Sequence, residues 1–201
     1  MFRAIRSFIQ NLTDWDYPPT PIPDVNPLMS YGNVTLTRIG QNLISTLTRI
    51  QEPCVQSQDP LTFEQIDHGF GFVLYTTTLS KGGTTLSTSN IRDYGYVYLN
   101  NVYQGLHENV TLDNQLLQNW YQCGINLTKS AVDSLSQNFV AEVDSTKASS
   151  QPGVYLGQFE ISDIQDTYLD TRGWGKGQLF INGNNLGHYW PTAGPQVNQT
   201  L

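Results

Sequence analysis

The sequence predicts an all-β protein of antiparallel sandwich strands with one short N-terminal helix. Only 13% of the 201 residues are charged, while 11% are aromatic and 17 are glycine, which favours a β-rich globular chain over a disordered one or a helix bundle. From Gly32 onward, runs of strand length rich in Val, Thr, Leu, Tyr and Phe alternate with Gly, Asn, Asp and Pro. Asn182-Gly183, and more weakly Asn100-Asn101, sit between apolar runs, where a two-residue hairpin turn requires positive φ.

The elements follow in order. Phe2, Ile5, Ile9 and Leu12 recur at helical spacing, with Phe8 beside them and Arg3, Arg6 and Gln10 elsewhere on the turn, so residues 1–12 form a short amphipathic helix. "DYPPTPIPDVNPLMSYG" holds five of the ten prolines and reads as an extended linker between domains. The strand candidates are "NVTLTRI", "LTFEQI", "FGFVLYTTTL", "YGYVYLNN", "NVTL", "GVYLGQFEI", "GQLFING" and "LGHYW". In "FGFVLYTTTL" apolar or Thr residues occupy both faces, as in a strand covered on two sides. Helix content is small; Ala131, Val132, Leu135 and Phe139 line one further helix before a Ser-rich loop ending at Pro152-Gly153.

A net charge of −7 and scattered Lys and Arg argue against nucleic acid as a partner. No window of about 18 apolar residues is present, so the sequence offers no membrane span. "MFRAIRSFIQNL" lacks the continuous apolar core of a signal peptide, which places the expected native start further upstream. Five N-x-[ST] triplets, at Asn11, Asn33, Asn109, Asn126 and Asn198, are candidate glycosylation sites in a secreted chain. Cys54 and Cys123 fit no metal or redox spacing; they either pair across a long loop in an oxidising lumen or remain two buried free thiols.

Catalytic chemistry finds little to rest on. A glycosidase needs two facing carboxylates, and the only local cluster, Glu160, Asp163, Asp166 and Asp170, has the composition of solvated or turn-capping acids. His68, His107 and His188 are isolated and read as surface or interface residues, without zinc spacing or a nucleophile elbow around them. "GWGKG" leads into a strand and not a helix, so it is no phosphate cradle. The expectation is no catalytic residue, no metal and no cofactor.

"GWGKGQLFINGNNLGHYWPTAGPQ", residues 173–196, reads as a hairpin: glycines turn the chain around Trp174, "QLFI" runs out, Asn182-Gly183 reverses it, and "LGHYWP" returns. Trp174, Asn182, Asn184, Tyr189 and Trp190 are the candidate carbohydrate contacts, since rings stack on sugars and amides bond their hydroxyls. The competing and preferred reading is that both tryptophans are packing groups with large buried area.

This stretch, with "GVYLGQFEI" and "QDTYLD" before it, closely resembles the last β-domain of glycoside hydrolase family 35 β-galactosidases, lysosomal and secreted enzymes that remove terminal β-linked galactose. "YGNVTL", "PLTFEQIDHGFGFVLYTTTL" and "YGYVYLNNVYQG" resemble the family's first strands after its linker, and "FRAIRSFIQNL" resembles the final helix of its catalytic barrel. The resemblance implies a jelly-roll or galactose-binding-like sandwich. It divides the chain into a barrel-helix remnant (1–13), a Pro-rich linker (14–31), a first incomplete β-module (32–112) and a second (113–201).

The family's catalytic glutamates belong to a barrel with no counterpart here beyond that helix, so the chain is expected to be inactive alone. "NVYQGLHENVTLDNQLLQNW" runs from the middle of one module into a late part of the other, as though strands were missing. His188 stands where the family more often has Arg, and the chain stops at "GPQVNQTL" where the family usually continues. The expectation is a truncated or alternatively spliced product, or an incomplete gene model, whose partners are the parent's barrel and galactosyl glycans. The alternatives are an independent carbohydrate-binding module and an inactive structural remnant.

Overall fold

The structure, a computed structural model, describes residues 2–12, 21, 24–40, 42–86, 95–107, 112–113, 115–137, 141–143, 151–193 and 198–200. In chain order its elements are α1 (Phe2–Leu12), β1 (Thr37–Ile39), α2 (Leu43–Leu47), β2 (Val55–Ser57), β3 (Val73–Thr76), β4 (Gly95–Leu99) and β5 (Val102–His107). They continue with β6 (Trp120–Gly124), α3 (Lys129–Gln137), β7 (Ala141–Val143), β8 (Val154–Leu156), β9 (Tyr168–Asp170), β10 (Gly177–Ile181), β11 (Asn184–Tyr189) and β12 (Asn198–Thr200).

All the named strand pairs are antiparallel, as expected of an all-β sandwich protein. Two hairpins use the same construction. β4–β5 turns at Asn100 and Asn101 (φ 50° and 65°), and β10–β11 turns at Asn182 and Gly183 (φ 49° and 75°). Positive φ at both central residues matches the right-handed twist of the flanking strands. Each hairpin then shifts register after the third residue of its first strand, between Val97 and Tyr98 or between Leu179 and Phe180. Opposite that third residue stands a glycine in both, Gly105 facing Val97 and Gly187 facing Leu179.

The other sheets join distant parts of the chain. β1 lies between β7 and β8, and β6 lies between β2 and β3, so strands from both sides of residue 112 share two sheets. A disulfide between Cys54 and Cys123, 69 residues apart, staples the start of β2 to β6. It resolves the alternatives left open by the sequence: Cys54 is exposed, Cys123 is buried, and neither is a free thiol.

A small core forms where the helices meet these sheets. Ile39, Ile50, Ile125 and Leu135 are buried together, with Leu47, Phe72, Leu74, Val154 and Leu156 packed against them. α2 is held at its start by Asn42, whose side chain accepts the Ser45 amide at 2.8 Å. α3 contributes Leu135, with Ala131 and Val132 half-buried, while Phe139 lies outside the described residues. α1 is helical as its spacing dictates, and Ile5, Phe8 and Leu12 are exposed.

Three expectations need correction. "LTFEQI" contains a 3-10 turn at Glu64–Ile66 and not a strand, because Asp67 closes it at φ 55°. "NVTLTRI" and "FGFVLYTTTL" shorten to Thr37–Ile39 and Val73–Thr76. α2 is a helix that the periodicity did not announce: it is a single capped turn, too short to show a repeating pattern. The end of the proline segment docks on residues 163–166, where the Met29 amide donates to Asp166 O at 3.0 Å and the Tyr31 hydroxyl to Asp163 O at 2.5 Å.

Candidate functional site

The hairpin β10–β11 organises the candidate site, and its two ends have different jobs. At the turn, Asn182 adopts the left-handed conformation and is exposed. Asn184 Nδ2 donates to Ile181 O at 3.2 Å and to Asn182 O at 3.3 Å, so its amide closes the turn. Gly183 is buried against Lys129 and Asp133 of α3, where an added Cβ would collide with their side chains.

The aromatic residues gather at the opposite end. Trp174 stands edge-on to Tyr155 at 5.1 Å, its amide donating to Thr171 O at 3.1 Å. Lys176 Nζ lies 4.4 Å from the centre of the Trp190 ring, a cation–π contact. Tyr189 covers Gly177, where any side chain would strike its phenol. Burial, with Tyr96 and Tyr155 nearby, pushes the Tyr189 hydroxyl up from its usual range. The strands between the two ends are five and six residues long, about 17 Å of extended chain. The structure therefore brings Trp174, Tyr189 and Trp190 to one end of the hairpin and leaves Asn182 and Asn184 at the other.

Both ends of the hairpin, Asn182 and Gly183 as well as Trp174, Tyr189 and Trp190, border one hollow of 3900 Å³ that residues of β3, β4, β8 and β10 also bound. Its walls are largely apolar, with Leu74, Val97, Leu156 and Phe180 among them. Pockets for small ligands measure about 300–1,000 Å³, several times less. Among the described residues, the buried Tyr98 and Tyr155 hydroxyls, Gln178 Oε1 and Arg38 Nε have no hydrogen-bond partner. Arg38 faces Tyr155 across the β1–β8 register. Burial above all, then Tyr103, pushes the Tyr98 hydroxyl up to about 12. Composition did not single out this tyrosine cluster, although the alternation in "YGYVY" carried the signal.

The remaining candidates have structural partners. Asp170 is paired with Arg172, whose guanidinium donates to its carboxylate and holds its pKa down to about 2. Asp166 Oδ2 accepts from Asn26 Nδ2 at 2.9 Å. His68, expected as a surface or interface residue, is buried within the chain; its ring meets Phe63 and Phe70, and its Nδ1 is 3.3 Å from Glu52 Oε2. His188 is exposed and meets Phe72 edge-on at 6.3 Å. Of the glycosylation candidates, Asn11 and Asn33 are exposed, and Asn126 is half-buried with its Oδ1 accepting the Thr128 amide at 2.9 Å. Asn109 lies outside the described residues, and Asn198 opens β12. No group of metal-binding side chains occurs among the described residues, and no helix is long and apolar enough to cross a membrane.

Antiparallel strands, twin hairpins and little helix make the described residues an all-β protein. Comparison with known families narrows this: residues 60–109 match the first all-beta domain of beta-galactosidase, and residues 152–201 match its galactose-binding domain. The chain thus carries sequence similar to two non-catalytic all-β domains of the β-galactosidase family.

Whole-protein comparison agrees. The chain is 30% identical to beta-galactosidase of Mus musculus over 253 residues, covering 96% of this chain and 39% of that protein. It is 29% identical to beta-galactosidase of Homo sapiens over 256 residues, with 96% and 37% covered. It is 24% identical to beta-galactosidase 17 of Arabidopsis thaliana over 268 residues, with 98% and 38% covered. The chain thus spans well under half the length of these relatives. Each matched stretch is also longer than the 201 residues present here, so the relatives hold residues within it that this chain lacks.

Proposed function

We propose that the chain serves as the C-terminal β-part of a β-galactosidase, bracing a catalytic barrel that hydrolyses terminal β-linked galactose, and that it is inactive alone. The observation that supports this most is the order of the matched domains, first all-beta and then galactose-binding, along one chain. Retaining or inverting hydrolysis needs two carboxylates facing one sugar. Here Asp170 is committed to Arg172, Asp133 to Lys129, Glu52 to His68, and Asp113 to the Thr84 and Thr85 amides. The exposed Ile5, Phe8 and Leu12 of α1 suit a helix packed against a barrel. A parent enzyme in a lysosomal or extracellular setting is supported by the Cys54–Cys123 bridge and by exposed Asn11 and Asn33.

The test is hydrolysis of an aryl β-galactoside at acidic pH by the purified chain. Background turnover is expected; turnover abolished by changing one of its own acidic residues would refute the proposal. A second reading, an independent galactose-binding module, is favoured by the match over residues 152–201. Saturable galactose binding by the chain alone, lost in Trp174→Ala without loss of folding, would establish it. No binding under any condition would leave an inactive structural remnant.

A further inference from the structure

The chain exposes 14746 Å² of surface. A compact monomer of 22.6 kDa exposes about 9,500 Å² by the usual scaling. Among its described parts, strands β3, β4, β8 and β10 border an apolar hollow of 3900 Å³. Two strands on its wall have an open outer edge: among the described residues β3 is paired only with β6, and β8 only with β1.

The direction of the β3 edge follows from its register. The Ile125 amide donates to Phe72 O at 2.9 Å, and bonded pairs alternate along an antiparallel ladder. Phe72, Leu74 and Thr76 therefore turn their main-chain groups toward β6, and Val73 and Tyr75 turn theirs outward. An unpaired row of this kind is a template for an added strand. Tyr98, Tyr155 and Gln178 are among the residues that border the same hollow, and their buried polar atoms have no hydrogen-bond partner.

We infer that this hollow seats extended, alternating apolar segments of a longer β-galactosidase chain, which add to the open edges of β3 and β8 and close the sandwich. The occupant follows from the comparison: the matched stretches of 253 to 268 residues in the relatives contain residues with no counterpart here. A second copy is the poorer occupant, because each chain carries a net charge of −7 and two copies repel. The inference rests on the family relationship and is independent of the proposed lack of activity.

The full chain is titrated with synthetic peptides covering the residues of the Mus musculus stretch that this chain lacks. At least one peptide should bind saturably at one per chain, displace an apolar fluorescent dye, and slow hydrogen exchange at the Val73 and Tyr75 amides at least tenfold. Val73→Pro, which removes an outward donor, should weaken binding tenfold or more; Gln56→Pro, on exposed β2 away from the hollow, should not. Should Val73→Pro fail to fold, the exchange measurement on the wild-type chain decides. Absence of saturable binding would overturn the inference. So would a peptide-free chain that excludes the dye as a compact monomer, or as a dimer. Galactoside hydrolysis by the chain would refute the proposed function and leave this result untouched.

Discussion

The side-chain carbonyl of Gln122 accepts the main-chain N–H of Leu61 at 2.8 Å, in a position with no solvent exposure. Its amide nitrogen donates to Val55 O at 3.1 Å and Trp120 O at 2.9 Å, so one residue of β6 ties together β2 and the segment before β3. Gln122→Leu keeps the volume and leaves these main-chain groups buried without partners. The expected loss is about 3 kcal/mol, read as a shift of the urea midpoint. A loss below about 0.5 kcal/mol would show that the surroundings relax around the vacancy.

The disulfide is the second strong constraint on the same sheet. Closing a loop of 69 residues restricts the unfolded chain, and the entropy removed corresponds to about 4 kcal/mol. Cys54→Ser with Cys123→Ser should lower Tm accordingly, and reduction of the wild-type chain should reproduce the shift.

Asp170 provides a titration with a defined sign. Its carboxyl is held down to about 2 by hydrogen bonds from the Arg172 side chain and amide. A depressed carboxyl contributes its stability above its unfolded pKa, and the contribution is lost as pH falls from the ordinary Asp range through about 2. Carbon-detected NMR should place the midpoint near the low end, and Arg172→Gln should return it to the ordinary carboxylate range. Because the pair is exposed, Tm at neutral pH should barely move.

The turn at Gly183 combines a positive φ with a close neighbour. Gly183→Ala must hold a left-handed backbone, costing about 1–2 kcal/mol, and must also displace Asp133. The variant should lose at least that much in chemical denaturation. Asn101→Gly, at the equivalent turn with φ 65°, should lose nothing, because glycine adopts that conformation freely.

The two-residue turns and the strands around them were legible in sequence because Asn-Gly and Asn-Asn act locally, through φ. α1 was equally legible from the spacing of Ile5, Ile9 and Leu12. The role of Gln122 was not, since an isolated glutamine looks like surface until the strands around it are placed. Asn182 and Asn184 looked like sugar contacts for a related reason: the sequence shows amides near aromatics along the chain, while the hairpin carries them to opposite ends. The cysteine pairing depended on β2 and β6 becoming neighbours, which no local pattern records.

Strand order also sets a timetable for the newborn chain. β1 is paired with β8, about 120 residues later. At synthesis rates of about 5–20 residues per second, β1 waits roughly 6–24 s for that partner to be made. Each twin hairpin meanwhile closes in microseconds once its turn has emerged. The other neighbour of β1, β7, is made about 100 residues after it, so for most of that interval Ile39 has no strand beside it and the nascent chain displays an unpaired apolar strand.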